Sequence, residues 1–399
     1  MRKAKIGESL LQGRKSSFNV LLACIPLSTQ GGNFTHLLEL SSELTIKGNN
    51  VTFLISQEVG SDINLIKKLK GIGRVYVIKP SNTLGRIIEG SLTLPRIVKE
   101  RSIDVVQCFN FQSELAIILY KIRKWLFKTE CIANLYCLEG DIADYEVSSL
   151  KKLAYKQMFR LAKYFVDYFV AIGHYTREQY LLYDPKIQKK VTVIHSGISE
   201  SFISSSRRIV FNFTREKIRL GFVSRLSLPK GTMTAVEVYK TVRRILPAEL
   251  HVFGDGYLKE YVEKEAGKDT GIHYYGFVND KAGIYSSFEI LLFPSMAEGL
   301  PWTVIEAMAS GRVVISNNVG AVSDVISDCV SGYIVNESDE FVATATRLIL
   351  SLDERTAYNI SRGARKRIKD DFSVSHEYAR YVDLYNKASK KYVDYNEPK

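Results

Sequence analysis

Two carboxylates eight residues apart, Glu298 and Glu306, bracket a Gly-Leu-Pro turn in the stretch FPSMAEGLPWTVIEAMASG, residues 293–311. The pattern predicts a strand that ends, a short loop carrying Glu298-Gly299-Leu300-Pro301, and a helix. Pro301 suits a first helical position, where its missing N–H costs nothing. The free N–H groups of that first turn would then face the crevice beyond the strand's carboxyl end, a natural place for an anion such as a diphosphate. Carboxylates accept paired hydrogen bonds from vicinal hydroxyls, so two of them beside an anion site suit a sugar and a ribose. A glutamate pair at this spacing is by itself an ordinary feature of a solvated helix. Its meaning comes from the F-P-S before it, the G-L-P between and the A-M-A-S-G behind.

A second stretch, LGFVSRLSLPKG at residues 220–231, sets Arg225 and Lys230 just after a strand. There a guanidinium fork and an ammonium could both reach phosphate oxygens and stabilise a departing nucleoside diphosphate without a metal. Phe253-Gly254-Asp255-Gly256 closes another strand with glycines that let backbone approach a ligand, and Gly276-Phe277-Val278 ends the next. Both loops should line the same crevice. The chain has no D-x-D, no H-E-x-x-H and no P-loop. His174, His195 and His273 fit no metal spacing, so they read as surface or core residues and no metal site is expected.

These residues need elements to hold them. Phe18 to Ile25 reads as a first strand, followed by a turn-rich loop with Gly31-Gly32 and a helical pattern that stops at Gly48. Further apolar runs follow at NVTFLIS, RVYVIK, DVVQCF and ECIANLY, with helical segments between several of them. The alternation predicts a parallel, doubly wound sheet. The same grammar restarts beyond a polar stretch near residues 198–210, with strands at IRLGFVS, ELHVFGD, GIHYYGF, EILLFPS and VVISNN. Two Rossmann-like domains in tandem follow, as a length of 399 residues also suggests. A last amphipathic segment, residues 375–391, is helical by spacing and has no strand after it.

In this order the residues resemble the family 4 retaining glycosyltransferases, from about Val20 to Tyr385. The resemblance implies the GT-B architecture, an α/β fold of two Rossmann-like doubly wound parallel-sheet domains facing a central cleft. Residues 1–200 would form the acceptor-side domain, 201–374 the donor domain, and 375–399 a helix crossing back to the first domain with a tail. The family's E-x7-E motif is similar to Glu298 and Glu306, the first near the donor sugar and the second on the nucleotide ribose. Its basic pair on the diphosphate resembles Arg225 and Lys230. Its G-G loop over the donor phosphates looks like Gly31-Gly32, and its domain-junction motif like VIHSGIS at residues 193–199. Where the family often has a histidine near the sugar, the matching position in CIANLYC is Tyr136, and Ser224 replaces the glycine usual before the diphosphate arginine.

The resemblance implies a metal-independent hexosyltransferase with Arg225, Lys230 and Glu298 at the chemistry. Gly31, Gly32, Gly254, Val278, Gly299, Leu300, Pro301 and Glu306 would hold the donor. No cofactor is expected beyond the nucleoside diphosphate sugar, which is a substrate; the acceptor would be a hydroxyl, on a lipid-linked glycan or a polysaccharide. Two alternatives stay open on the same architecture: a nucleotide-sugar epimerase, and a non-catalytic partner subunit.

Charge is uneven. Residues 1–200 carry 28 Lys and Arg against 18 Asp and Glu, and residues 201–399 carry 27 against 25. The basic first half suggests an anionic partner, a membrane surface ahead of nucleic acid, because no nucleic-acid recognition motif is apparent. Between Leu150 and Phe165 the spacing places Leu150, Ala154, Met158, Leu161 and Phe165 on one helical face and Lys152, Lys156, Arg160 and Lys163 on another. Nearby, Lys121, Arg123, Lys124 and Lys128 interleave with Trp125 and Phe127, a mixture suited to a headgroup boundary. Five cysteines without a C-x-x-C pair, a basic start with no apolar segment behind it, and no run of membrane-spanning length point to a cytoplasmic protein, peripheral on the inner face of the plasma membrane.

Overall fold

The computed structural model describes residues 15, 17–25, 32–56, 63–79, 82–126, 132–138 and 149–396. It divides into two compact units. The first comprises Met1–Ile172, Arg177–Ile194 and Glu377–Lys399, and the second Gly173–Thr176 and His195–His376. The division at 194–195 lies a few residues before the polar stretch that marks a linker in the sequence. The reason is local: Ile198 pairs with Ser373, and a Cβ on Gly197 would stand 2.4 Å from the Ser373 carbonyl carbon. The VIHSGIS segment is thereby built into the second unit from His195 onward.

In the first unit the strands are β1 (Asn19–Cys24), β2 (Asn50–Ser56), β3 (Arg74–Ile78), β4 (Val105–Cys108), β5 (Ala133–Leu138), β6 (Tyr168–Ala171) and β7 (Val191–Val193). They form one sheet of order β3-β2-β1-β4-β5-β6-β7, parallel throughout. The run NVLLAC is buried from its second residue on, as a strand covered on both faces must be. One face packs Val20, Leu22, Phe53 and Ile55 against Leu37, Leu40 and Leu44 of the helix Gly32–Ile46. The helix Val374–Asn396 adds Tyr381, Leu384, Tyr385 and Ala388 to the same cluster. The other face packs Leu21, Val106 and Phe169 against Leu94, Ile117 and Phe159.

The second unit repeats the scheme with β8 (Ile218–Val223), β9 (Ala248–Phe253), β10 (Ile272–Gly276), β11 (Ile290–Phe293), β12 (Val313–Asn317) and β13 (Tyr333–Val335). Its sheet order is β10-β9-β8-β11-β12-β13, again parallel. Each apolar run named in the sequence as a strand is one. The strands that pattern reading passed over, β6, β7 and β13, are three or four residues long. Among the described residues no helix is long and apolar enough to cross a membrane.

Tyr136 sits inside β5, as the run ECIANLY predicts, and its buried ring lies 6.2 Å from that of Phe169. It is a core residue of the first unit. The amphipathic helix, Ser149–Ala162, differs from its expected faces: Phe159 and Ala162 are buried, whereas Leu153 and Leu161 are exposed. Its bases are not a free stripe either. Lys156 lies over the Tyr183 ring, Arg160 donates to the Tyr183 carbonyl, and just past the helix Lys163 pairs with Asp184 at 2.5 Å. Phe127 and Lys128 lie outside the described residues.

Candidate functional site

Strand order in the second sheet reverses between β8 and β11, with β9 and β10 outward on one side and β12 and β13 on the other. The loops leaving the carboxyl ends of those two central strands therefore diverge and leave a crevice. Arg225 and Lys230 follow β8, and Ser295 and Glu298 follow β11. The residues singled out by type and spacing thus meet at the switch point of one sheet.

Glycine backbones bring the loops together. Gly231, at φ 72°, permits close approach of Pro294, whose carbonyl oxygen would lie 2.4 Å from a Cβ there. Gly320, at φ 54°, does the same beneath Glu298, whose carbonyl oxygen would be 1.9 Å away. Either site would clash and strain with any L side chain. Met296 N–H donates to the Pro229 carbonyl at 2.8 Å, tying the β11 loop to the β8 loop. Beside them, Gly254 at φ 129° lies against the Ser224 carbonyl, and its N–H donates to Gly276 at 2.8 Å. The loops after β8, β9 and β10 are stitched into one rim, and half-buried Val278 follows on it.

On this frame Lys230 Nζ stands 2.6 Å from Glu298 Oε1, which also accepts from Ser295 Oγ at 2.7 Å. Both charged side chains are largely buried, so the ion pair is shielded and fixed. Arg225 is exposed and forms no ion pair with a described residue. A guanidinium without an ion-pair partner and a fixed ammonium on the same loop are groups that suit an anion.

Glu306 lies in the helix Trp302–Ala309 with both carboxylate oxygens engaged. Lys281 Nζ donates to Oε1 at 2.5 Å, and Tyr285 Oη donates to Oε2 at 2.8 Å. Burial and the neighbouring carboxylate push the Tyr285 phenol well above its usual range, so it remains a donor. Sequence reading missed Lys281 and Tyr285, because a support that reaches in from another helix leaves no local spacing.

Pro301 stands one position earlier than expected. With φ −81° and ψ 96° it is the N-cap, and its carbonyl accepts from Val304 and Ile305 N–H. The helix starts at Trp302, whose N–H and that of Thr303 have no acceptor within the helix. Leu300 is buried, and Gly299 accepts from Ala321 N–H at 2.8 Å. In the first unit, Gly32 opens the helix Gly32–Ile46, while Gly31 lies outside the described residues.

Two family models match the chain, one per half: residues 30–202 match the model described as Glycosyltransferase Family 4, and residues 217–351 the model described as Glycosyl transferases group 1. An uncharacterized 41.2 kDa protein in the cps region of Klebsiella pneumoniae is 28% identical over 59% of this chain and 65% of its own length. The UDP-Gal:alpha-D-GlcNAc-diphosphoundecaprenol alpha-1,3-galactosyltransferase of Escherichia coli is 22% identical over 81% of each chain. Among solved structures, Anabaena HepE in complex with UDP superimposes with a TM-score of 0.70 at 18% identity, covering 92% of this chain and 100% of HepE. A glycosyltransferase from Rickettsia africae superimposes with a TM-score of 0.74 at 19% identity, covering 94% and 100%. The matched models and the two parallel-sheet units indicate a glycosyltransferase of the GT-B type.

Proposed function

We propose that this GT-B glycosyltransferase moves a hexose from a nucleoside diphosphate sugar to a hydroxyl, with retention of anomeric configuration and without a metal at the donor. The observation that carries the reading is the placement of Arg225, Lys230 and Glu298 at the switch point of the second sheet, with Glu306 in the helix that follows. The UDP complex of HepE and the UDP-sugar in the name of the E. coli relative support a nucleotide-sugar donor.

Each residue has a part set by its surroundings. Arg225 and Lys230 would take the diphosphate, whose β-phosphate oxygen bonded to the sugar gains charge as the glycosidic bond breaks. The N–H groups that open the helix at Trp302 add partial positive charge to the same region. Glu298 holds Lys230 in place and turns toward the sugar hydroxyls, while Glu306 accepts from the ribose diol. The chain's own groups supply stabilisation of the leaving group; the leaving diphosphate can take the acceptor's proton.

The E. coli relative acts on a diphosphoundecaprenol-linked sugar, and this supports a lipid-linked acceptor here as well. A peripheral membrane position at the cytoplasmic face would follow. The exposed Trp125, Leu153, Leu161 and Tyr164 of the first unit are the side chains offered for it, with Arg123 beside them.

The test is a mass-spectrometric screen of purified protein against a panel of nucleotide sugars and lipid-linked acceptors, with the product anomer read by NMR. Transfer with retention and release of the nucleoside diphosphate supports the proposal. An epimerised donor with no diphosphate released, or no binding of any nucleotide sugar, refutes it in favour of an epimerase or a partner subunit.

A further inference from the structure

On the two outer strands of the second sheet, three metal-capable side chains converge. Glu249 and His251 stand two apart on β9 and so share one face of the sheet. His273 on β10 is the register partner of His251. The two imidazoles stack with centroids 5.0 Å apart, and the three side chains each offer a ligand atom within 4.8 Å of the others.

The separations are long for hydrogen bonds and close to those of two ligands on one ion. His251 Nε2 lies 3.7 Å from Glu249 Oε2, and His273 Nε2 lies 3.5 Å from Glu249 Oε1. Both exceed a working N–H···O distance or sit at its limit. Two donors on a tetrahedral zinc at ordinary bond lengths are roughly 3.3 Å apart, close to both values. His251 is 8% exposed, and its Nε2 is buried with no hydrogen-bond partner. A buried nitrogen of this kind needs a reason. Its other nitrogen, Nδ1, lies 3.0 Å from Tyr275 Oη. With the proton on Nδ1 and donated to Tyr275, Nε2 points its lone pair toward the glutamate, the arrangement found behind metal-bound histidines.

We propose that Glu249, His251 and His273 form a site for a divalent transition ion of the zinc class, structural in role and separate from the donor site. Two imidazoles and a carboxylate are a zinc-type donor set, and His273, its side chain 36% exposed, leaves a way in from solvent. Pinning β9 to β10 would stabilise the outer edge of the second sheet. Lys217 now donates to Glu249 Oε1 at 2.8 Å, but its side chain is 57% exposed and can swing away when the ion enters. Arg219 on β8 is held by Glu289.

The experiment uses the full chain, stripped by a chelator and dialysed. Titration with zinc chloride by calorimetry should show one equivalent bound, and cobalt(II) should give the visible absorption of a tetrahedral nitrogen and oxygen site. His251→Gln and His273→Gln should each weaken zinc binding by more than the roughly 10–100-fold typical of losing an outer-shell partner. Lys217→Ala should tighten it, a result that a merely structural ion pair does not produce and one that survives if a histidine variant fails to fold. Zinc should raise the melting temperature of the parent and not of the variants. Absence of zinc and cobalt binding by the parent overturns the proposal. So does binding that persists in His251→Gln and disappears in His195→Gln, which would assign the ion to the other convergent set, His174, His195 and Asp324.

Discussion

If Glu306 holds the ribose diol, its worth can be isolated by working around its partner. Tyr285 is fully buried and donates to Glu306 Oε2 at 2.8 Å. Glu306→Ala alone would leave that hydroxyl only the Thr303 carbonyl at 3.5 Å and cost about 1–3 kcal/mol of stability, mixing folding with binding. Removing both partners with apolar groups of similar shape avoids the orphan. The informative comparison is therefore Tyr285→Phe, which keeps the carboxylate, against Tyr285→Phe with Glu306→Leu, which removes it. Hydrogen bonds from a diol to a carboxylate contribute about 1.5–3 kcal/mol. Against this stands the loss of the Lys281 pair, whose lysine side chain is 41% exposed and whose pairing is worth at most about 1 kcal/mol. The net expectation is about 0.5–3 kcal/mol, or about a 2–140-fold rise in Kd for the nucleoside diphosphate. Calorimetric titration at matched fold, checked by melting temperature, measures it. Equal affinity in the two variants would remove Glu306 from the nucleotide site.

Other expectations follow from the same geometry. Lys230→Ala and Arg225→Ala should lower kcat more than they raise the donor KM, because charge on the leaving oxygen grows toward the transition state; normal kcat with only a raised KM would refute the leaving-group role. EDTA should leave turnover intact at room temperature while lowering the melting temperature, and abolished turnover would place a metal at the donor. Glu114 is fully buried, and burial pushes its carboxyl up to about 7 from 4.5. The folded state therefore keeps a proton that the unfolded chain loses, and stability should fall as pH rises from about 4.5 to about 7. Glu114→Gln should flatten that part of the melting profile, and an unchanged slope would refute the assignment. Liposome cosedimentation should be strong with anionic vesicles and weak with neutral ones, with Trp125 fluorescence shifted to the blue on binding; Trp125→Ser with Leu161→Ser should reduce it, and equal binding by that variant would sink the docking face.

Much of this was legible in the sequence because parallel sheets bury both faces, so their strands read as plain apolar runs. Arg225, Lys230 and Glu298 lie in loops that follow such runs, and strand order brings those loops side by side, with Lys230 2.6 Å from Glu298. What escaped has a common cause. Lys281 and Tyr285 reach Glu306 from a separate helix, and Glu249, His251 and His273 meet by register across strands, so neither group has a spacing to recognise. The faces of the helix Ser149–Ala162 were misjudged for a related reason. Amphipathic spacing there is ambiguous, and the choice fell to what Phe159 meets: the Phe169 ring at 5.2 Å and the Tyr180 ring at 4.7 Å.

The helix Val374–Asn396 has a consequence for biogenesis. Tyr385 Oη donates to Gln107 Oε1 at 2.6 Å, and His36 Nε2 meets Glu377 Oε1 at 2.5 Å, both pairs buried within the first unit. The first unit thus lacks part of its interior until synthesis has passed Glu377. The second unit, continuous from His195 to His376 apart from the earlier Gly173–Thr176, has all of its residues in hand before then. The usual vectorial order, in which the N-terminal domain matures first, is inverted here. Nascent chains halted before residue 377 should expose the apolar groove that Tyr381 and Leu384 fill, making the half-made protein a client for chaperones at its beginning and not at its end.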